Sequence, residues 1–260
     1  MKRFRYLKRS MENNTALTFL SRLSGLLFLF VFLAPQSAVS QTTTWKELSP
    51  NEVHQMITSG TDLVLVNTMS LLECRDHTIA GSACIPAPYF AEMAPEVLSR
   101  KDQLIIFYCE SSSCRRSYRA GKAALEMGYA NVAILSGGMP AWKHAGLETT
   151  STLRIPRMGI RSIKPKALKS RIDSNKPVLI VDIRSPGDFE EMNIPGSLNI
   201  PMDELDKRYQ KLPWDKPIVV VDENGYRSFL AACYLSWKGH AGVERLFGGM
   251  QDWKKSFSDK

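Results

Sequence analysis

Residues 178–182 read Val-Leu-Ile-Val-Asp, and twelve residues beyond Asp182 comes Ile194-Pro195-Gly196-Ser197-Leu198-Asn199-Ile200-Pro201. The same arrangement stands earlier in the chain. Val64-Leu65-Val66-Asn67 is followed after the same interval by Ile79-Ala80-Gly81-Ser82 and Ile85-Pro86, at an offset of 115 residues without a gap. Further along, Gly128, Val132, Gly137-Gly138-Met139 and Trp142 recur as Gly239, Val243, Gly248-Gly249-Met250 and Trp253, at an offset of 111. Self-similarity on this scale means one domain present twice, each copy about 105 residues long. The first copy is placed at 41–150 and the second at 151–260, joined by the Thr- and Ser-rich stretch from Gly146 to Pro156.

Within each copy, short apolar runs alternate with helical stretches. Leu63–Val66, Leu104–Tyr108 and Val132–Leu135 read as strands buried on both faces, as do Val178–Val181, Ile218–Val221 and Val243–Leu246. Helices are predicted over Pro50–Ile57, Ala94–Ser99 and Arg115–Met127, and again over Pro165–Arg171 and Arg227–Trp237. This alternation predicts an α/β fold in which each copy is a parallel sheet flanked by helices on both faces. Such sheets bind ligands beyond the carboxyl ends of their strands. The turns after Tyr108 and after Val221 are therefore the places to look for chemistry.

The charge of +8 has a local cause. Lys2, Arg3, Arg5, Lys8, Arg9 and Arg22 against Glu12 put +5 of it in residues 1–40, leaving +3 for the rest. The remainder has no basic stripe interleaved with aromatics, which argues against a nucleic-acid partner. The basic start leads into an apolar run, Leu26 to Leu33, ended by Pro35 and followed by Ala38-Val39-Ser40. That order is a secretory signal, and the run is short of the roughly 20 residues a spanning helix needs. Residues 1–40 are expected to be cleaved and the protein to be periplasmic, with membrane contact only through this signal; left uncleaved, the same segment would anchor the chain.

Five cysteines, Cys74, Cys84, Cys109, Cys114 and Cys233, are an odd and modest number, and are not expected to form a disulfide framework. No pair has zinc-ligand spacing with histidines, so no metal site is expected. Cys109 matters most. It follows the last residue of a buried strand and opens the polar loop Glu110-Ser111-Ser112-Ser113-Cys114-Arg115-Arg116, after which a helix begins. Backbone N–H groups turned inward by such a loop, with the positive end of the helix, favour an anion and a thiolate. Arg115 and Arg116 are expected to add positive charge. The polar residues after Cys109 argue against its burial. The catalytic candidate is thus Cys109, and the substrate-binding candidates are Glu110 to Arg116.

The chain resembles the rhodanese superfamily of sulfurtransferases in a tandem form. The resemblance rests on Asp182-Ile183-Arg184 with Phe189 and Ile194 to Pro201, and on Tyr108-Cys109 with Leu135-Ser136-Gly137-Gly138-Met139 and Trp142. It implies an enzyme that takes sulfane sulfur from thiosulfate or a persulfide onto Cys109, holds it as a persulfide and yields it to a nucleophile. The implied partners are a small anionic sulfur donor and a thiol or protein acceptor, with no cofactor. The usual loop of the family runs Cys-x-x-Gly-x-Arg-Ser. The second copy keeps that spacing as Asp222-Glu223-Asn224-Gly225-Tyr226-Arg227-Ser228, with a carboxylate where the nucleophile belongs. Asp222 beside Arg227 should fill the anion site itself, leaving a degenerate second site.

The first loop is two residues longer, lacks the Gly and contains Cys114. Longer loops also occur in rhodanese-fold phosphatases and arsenate reductases, whose Arg lies where Arg115 does. Tyr108 in place of the His before the phosphatase cysteine ranks that reading below sulfur transfer. Other readings are a thiol–disulfide enzyme using Cys109 with Cys114, and a non-catalytic sulfur- or anion-binding module. Cys114 is either a resolving thiol, which attacks the persulfide or forms a Cys109–Cys114 disulfide, or a small residue packing the first helical turn. Cys233 is expected in the core, and Asn67, in place of the Asp at 182, is expected to change local hydrogen bonding only.

Overall fold

In the computed structural model, residues 45–111 and 114–257 are described. Residues 1–40, expected from sequence to be an export signal, and Ser112 and Ser113 lie outside them. The first copy runs β1 (Lys46–Leu48), α1 (Pro50–Thr58), β2 (Leu63–Asn67), α2 (Leu71–Asp76), β3 (Ala83–Cys84), α3 (Phe90–Val97), β4 (Leu104–Tyr108), α4 (Arg116–Glu126), β5 (Asn131–Leu135) and α5 (Gly138–His144). The second repeats it as β6 (Arg161–Ile163), α6 (Pro165–Asp173), β7 (Leu179–Asp182), α7 (Pro186–Glu191), β8 (Leu198–Asn199), α8 (Leu205–Arg208), β9 (Ile218–Val221), α9 (Arg227–Trp237), β10 (Val243–Leu246) and α10 (Gly249–Phe257). Each copy forms a five-stranded sheet, in the orders β1-β5-β4-β2-β3 and β6-β10-β9-β7-β8. All pairings are parallel.

The α/β expectation holds. Side chains on β4 alternate between two cores: Ile106 and Tyr108 pack with Val53 and Trp142, while Ile105 and Phe107 pack with Phe90, Ala120 and Ala124. Helices α1 and α5 therefore cover one face, and α3 and α4 the other. In the second copy, Ile218 and Val220 pack against α9, and Val219 and Val221 against α6 and α10. The three long strands of each copy lie close to their sequence bounds. The edge strands β1, β3, β6 and β8, of two or three residues, are too short to show a period. Helix α3 starts at Phe90 rather than Ala94, because Phe90 and Ala94 on the same face both bury against the sheet.

Helix α2 joins the copies. Its cap Ser70 accepts from the Glu73 amide at 3.2 Å, and Glu73 reaches back to the Ser70 amide at 2.9 Å, a reciprocal capping box. Leu72 is 1 % exposed and sits in the core of the second copy. The Leu71 amide donates to Asp203 at 3.0 Å. The segment after α5 runs along the same helix: the Thr152 and Leu153 amides donate to the Arg75 carbonyl, and the Ile155 amide to buried Asp76 at 2.8 Å. Arg157 adds a 2.6 Å ion pair to Asp76. No helix among the described residues is long and apolar enough to cross a membrane.

Candidate functional site

Both turns singled out from sequence lie at the carboxyl ends of the central strands, and the two differ in a telling way. In the second copy the Asp222 carboxylate accepts from the backbone amides of Gly225 at 2.7 Å, Arg227 at 2.6 Å and Ser228 at 3.1 Å. These donors ring one point ahead of α9, and a charged oxygen already fills it. The closing Gly-Gly-Met segment clamps the same residue. The Met250 amide donates to the Asp222 carbonyl at 2.8 Å, and a Cβ on Gly249, at φ +59°, would lie 2.5 Å from that carbonyl oxygen. The first copy repeats this clamp, with the Met139 amide 2.8 Å from the Cys109 carbonyl and a Gly138 Cβ position 2.5 Å from it. Cys109 and Asp222 thus hold equivalent places, and the second glycine of each pair is required by close backbone approach.

Cys109 is bonded to Cys114, with Cα atoms 6.3 Å apart. It is 1 % exposed, so the expectation that the polar loop leaves it open is corrected. The physical cause is local. Cys114 is drawn onto it, and Glu110, tied to Arg116, lies against its sulfur. A second disulfide joins Cys74 on α2 to Cys84 on β3. Four of the five cysteines are therefore paired, more than their number suggested, while Cys233 is free and buried, in keeping with the odd count and with its expected place in the core. Spacing in the sequence gave no signal for the Cys74–Cys84 pair, which the βα crossover brings together.

The charges near the loop are spent on one another. Arg116 pairs with Glu110 and donates to Glu73 at 3.3 Å, while its Nε lies 3.4 Å from Cys114 Sγ. Arg227 of the second copy reaches the same Glu73 at 3.1 Å. Burial works to raise the Glu73 carboxyl, but Arg227, Arg116 and Ser70 together hold it well below the usual carboxylate range. Arg116 stays protonated: burial opposes its charge, and Glu73 and Glu110 outweigh that. Two arginines thus meet two carboxylates, so Arg116 is not the surplus positive charge expected from sequence. Arg115 is exposed at the cap of α4. Ser111 is half-buried, and its carbonyl accepts from the Cys114 amide at 3.3 Å.

Behind the site, the Tyr108 hydroxyl bonds Thr78 at 2.7 Å and Ser82 at 3.0 Å and accepts from the Ile79 amide at 3.0 Å. Burial pushes its pKa up, so it remains a neutral phenol. Asn67 accepts from the Met69 amide at 3.0 Å, the turn that Asp182 makes with the Arg184 amide at 3.0 Å. Only Asp182 adds an ion pair, to Arg184 at 2.7 Å, so the change at 67 is one of local bonding. Cys109, Glu110 and Cys114 bring their ligand atoms within 4.8 Å of one another. With the sulfurs joined and Glu110 paired, that donor set is committed elsewhere.

Of the cavities between the copies, two border the Cys109 loop. One of about 610 Å³ is lined by Glu110, Met139 and Lys143 of the first copy and by Tyr226, Arg227 and Arg245 of the second. Another of about 350 Å³ takes in Glu110 and Arg116 with Asp222 and Glu223. Cys109 lies beneath Glu110, which borders both. Glu73 and Arg245 were not singled out from sequence. The Ser70-x-x-Glu73 spacing marks a capping box, but nothing in the text of the chain says that this carboxylate meets an arginine 154 residues away.

A tandem of parallel sheets, each with a turn at the end of its central strand clamped by a Gly-Gly-Met segment, defines the class. The rhodanese-like domain model matches residues 49–145 and 164–256, and the chain belongs to that family, carrying the domain twice. A protein named sulfurtransferase in Allochromatium vinosum is 32% identical over 96 residues, covering 37% of this chain and 90% of that protein. The thiosulfate sulfurtransferase GlpE of Pseudoalteromonas translucida is 32% identical over 83 residues, covering 32% of this chain and 79% of that protein. A crystal structure of thiosulfate sulfurtransferase from Pseudomonas aeruginosa aligns at 20% identity with a TM-score of 0.43, over 81% of this chain and 42% of that one.

Proposed function

We propose that the first copy works as the sulfur-transfer site through Cys109 and that the second copy is catalytically silent. Rhodanese-type sulfur transfer is the activity that family membership and the named relatives support. The observation that carries the assignment to Cys109 is its equivalence to Asp222: same strand end, same Gly-Gly-Met clamp, and in the second copy three amides aimed at a negative group. A thiolate placed there is stabilised by the helix terminus and loop amides. A carboxylate cannot carry sulfane sulfur.

In the reduced chain the Cys109 thiolate attacks the outer sulfur of thiosulfate. A Cys–S–S⁻ bond forms, the S–S bond of thiosulfate breaks and sulfite leaves with the electron pair. An acceptor thiolate then attacks the outer sulfur of the persulfide and returns Cys109 as thiolate. Neutralisation of Glu110 by Arg116 removes a repulsive charge from the donor's path. The reaction is tested by mixing the dithiol-reduced chain, freed of reductant, with thiosulfate and following sulfite. One equivalent in a burst is expected, with none from Cys109→Ser; a burst that survives Cys109→Ser contradicts the assignment.

We also propose that the protein is exported to an oxidising compartment such as the periplasm. The basic start, the Leu26–Leu33 run and Ala38-Val39-Ser40 support this, as does the pairing of four of five cysteines. The mass of the protein recovered from a periplasmic extract tests it: loss of about the first forty residues is expected, and an intact N-terminus contradicts cleavage.

A further inference from the structure

The two loops differ at one informative place. Counted back from the closing serines, Ser117 and Ser228, Cys114 stands where the second copy has Gly225. Gly225 has φ +81°, and a Cβ there would lie 2.9 Å from the Gly248 backbone nitrogen. The shorter loop has no room for a side chain at that point. The longer one carries a thiol there, and its sulfur is joined to the candidate nucleophile.

Once the disulfide is opened, Cys114 has a helix start and a guanidinium beside it, with the Glu110 carboxylate also near. Cys114 lies just ahead of α4, an eleven-residue helix capped at Arg115, and Arg116 Nε points at its sulfur from 3.4 Å. Cys114 is half-buried, whereas Cys109 is 1 % exposed. A thiol from solvent therefore meets Cys114 first, and attack there expels Cys109 as the leaving thiolate.

Resting on the sulfur-transfer reading above, we infer that Cys114 is a resolving thiol that turns the Cys109 persulfide into free sulfide. The Cys114 thiolate attacks the inner sulfur of Cys109–S–SH. The Cys109–Cys114 bond forms, the persulfide S–S bond breaks and HS⁻ leaves. The sulfane sulfur is reduced to sulfide and the two cysteine sulfurs are oxidised to the disulfide. A dithiol, small or protein-borne, reduces that disulfide and closes its own ring. The net conversion is thiosulfate plus dithiol to sulfite, hydrogen sulfide and cyclic disulfide. The structure corresponds to the oxidised end of this cycle. The chain is then a dithiol-driven sulfane-sulfur reductase as well as a transferase, with the second copy, lacking both thiols, unable to take part.

The test is a single turnover without acceptor. The full chain is reduced, freed of dithiol and mixed with equimolar thiosulfate, and sulfite, sulfide and intact mass are followed. The wild-type chain is expected to release one equivalent each of sulfite and sulfide and to end with Cys109 and Cys114 joined. Cys114→Ser and Cys114→Ala are expected to release sulfite, keep one added sulfur and yield sulfide more than about tenfold more slowly. A wild-type chain that keeps its sulfur and releases no sulfide overturns the inference, as does sulfide release undiminished in both variants. If the wild-type chain too releases no sulfite and gains no sulfur, the sulfur-transfer reading beneath it falls as well.

Discussion

Arg227, at the start of a helix in the second copy, donates to Glu73 in the first at 3.1 Å. The arginine of the Asp222 loop thus holds the carboxylate that Arg116 of the Cys109 loop also holds, and the two loops share one charge. The second copy is kept in contact with the first through this pair and through Leu72 buried in its core.

Arg227→Ala leaves Glu73 buried with a single guanidinium partner. Removing one partner of a buried pair costs about 3–5 kcal/mol in general, and because Arg116 remains, about 2 kcal/mol is expected here. Denaturant unfolding measures it. Sulfur transfer should also slow, although Arg227 lies in the other copy, because Glu73 then draws Arg116 away from Glu110 and Cys114.

Acid should loosen the contact between copies. Glu73 and Asp76 have folded-state pKa values below the unfolded ones; in Asp76, burial is outweighed by His77, Arg157 and the Ile155 amide. Their stabilisation is complete above the unfolded values of roughly 4 and is lost as pH falls towards the depressed folded ones. Unfolding midpoints should therefore be flat from about pH 7 to about pH 5 and fall steeply below about pH 4. Glu73→Gln should lower the neutral-pH midpoint and shallow the acid slope.

The Cys74–Cys84 disulfide ties α2 to the edge strand β3 across a separation of 10 residues. A loop of that length corresponds to about 3 kcal/mol in the chain-entropy account. Cys74→Ala with Cys84→Ala should destabilise by about that amount, while the thiosulfate-dependent sulfite burst at Cys109 persists. Denaturation of the double variant beside the wild-type chain, without reductant, checks the first; a sulfite assay checks the second.

Asp222→Cys should place a thiol among the three amides that now hold the carboxylate. Its pKa is expected below the ordinary value of about 8.5. Alkylation followed against pH should show the thiol at residue 222 reacting below that value, although the position is only 2 % exposed.

Much of this was legible from the text of the chain because it depends on repetition and period. The all-apolar strands Leu104–Tyr108 and Ile218–Val221 announce themselves, and the Gly-Gly-Met repeats mark the clamps on Cys109 and Asp222. What was hidden is three-dimensional. The Cys74–Cys84 pairing follows from a crossover that returns the chain beside β2, and the Glu73–Arg227 contact follows from how the copies pack. The burial of Cys109 follows from Cys114 and Glu110 closing over it, which a run of polar letters conceals.

The central claim is that Cys109 carries the sulfur. Its most direct test is the intact mass of the reduced Cys114→Ser chain after thiosulfate, with the modified peptide located. The account predicts a gain of one sulfur atom on the peptide holding Cys109, and no gain when Cys109→Ser is added. Sulfur found elsewhere, or unchanged by Cys109→Ser, would contradict it.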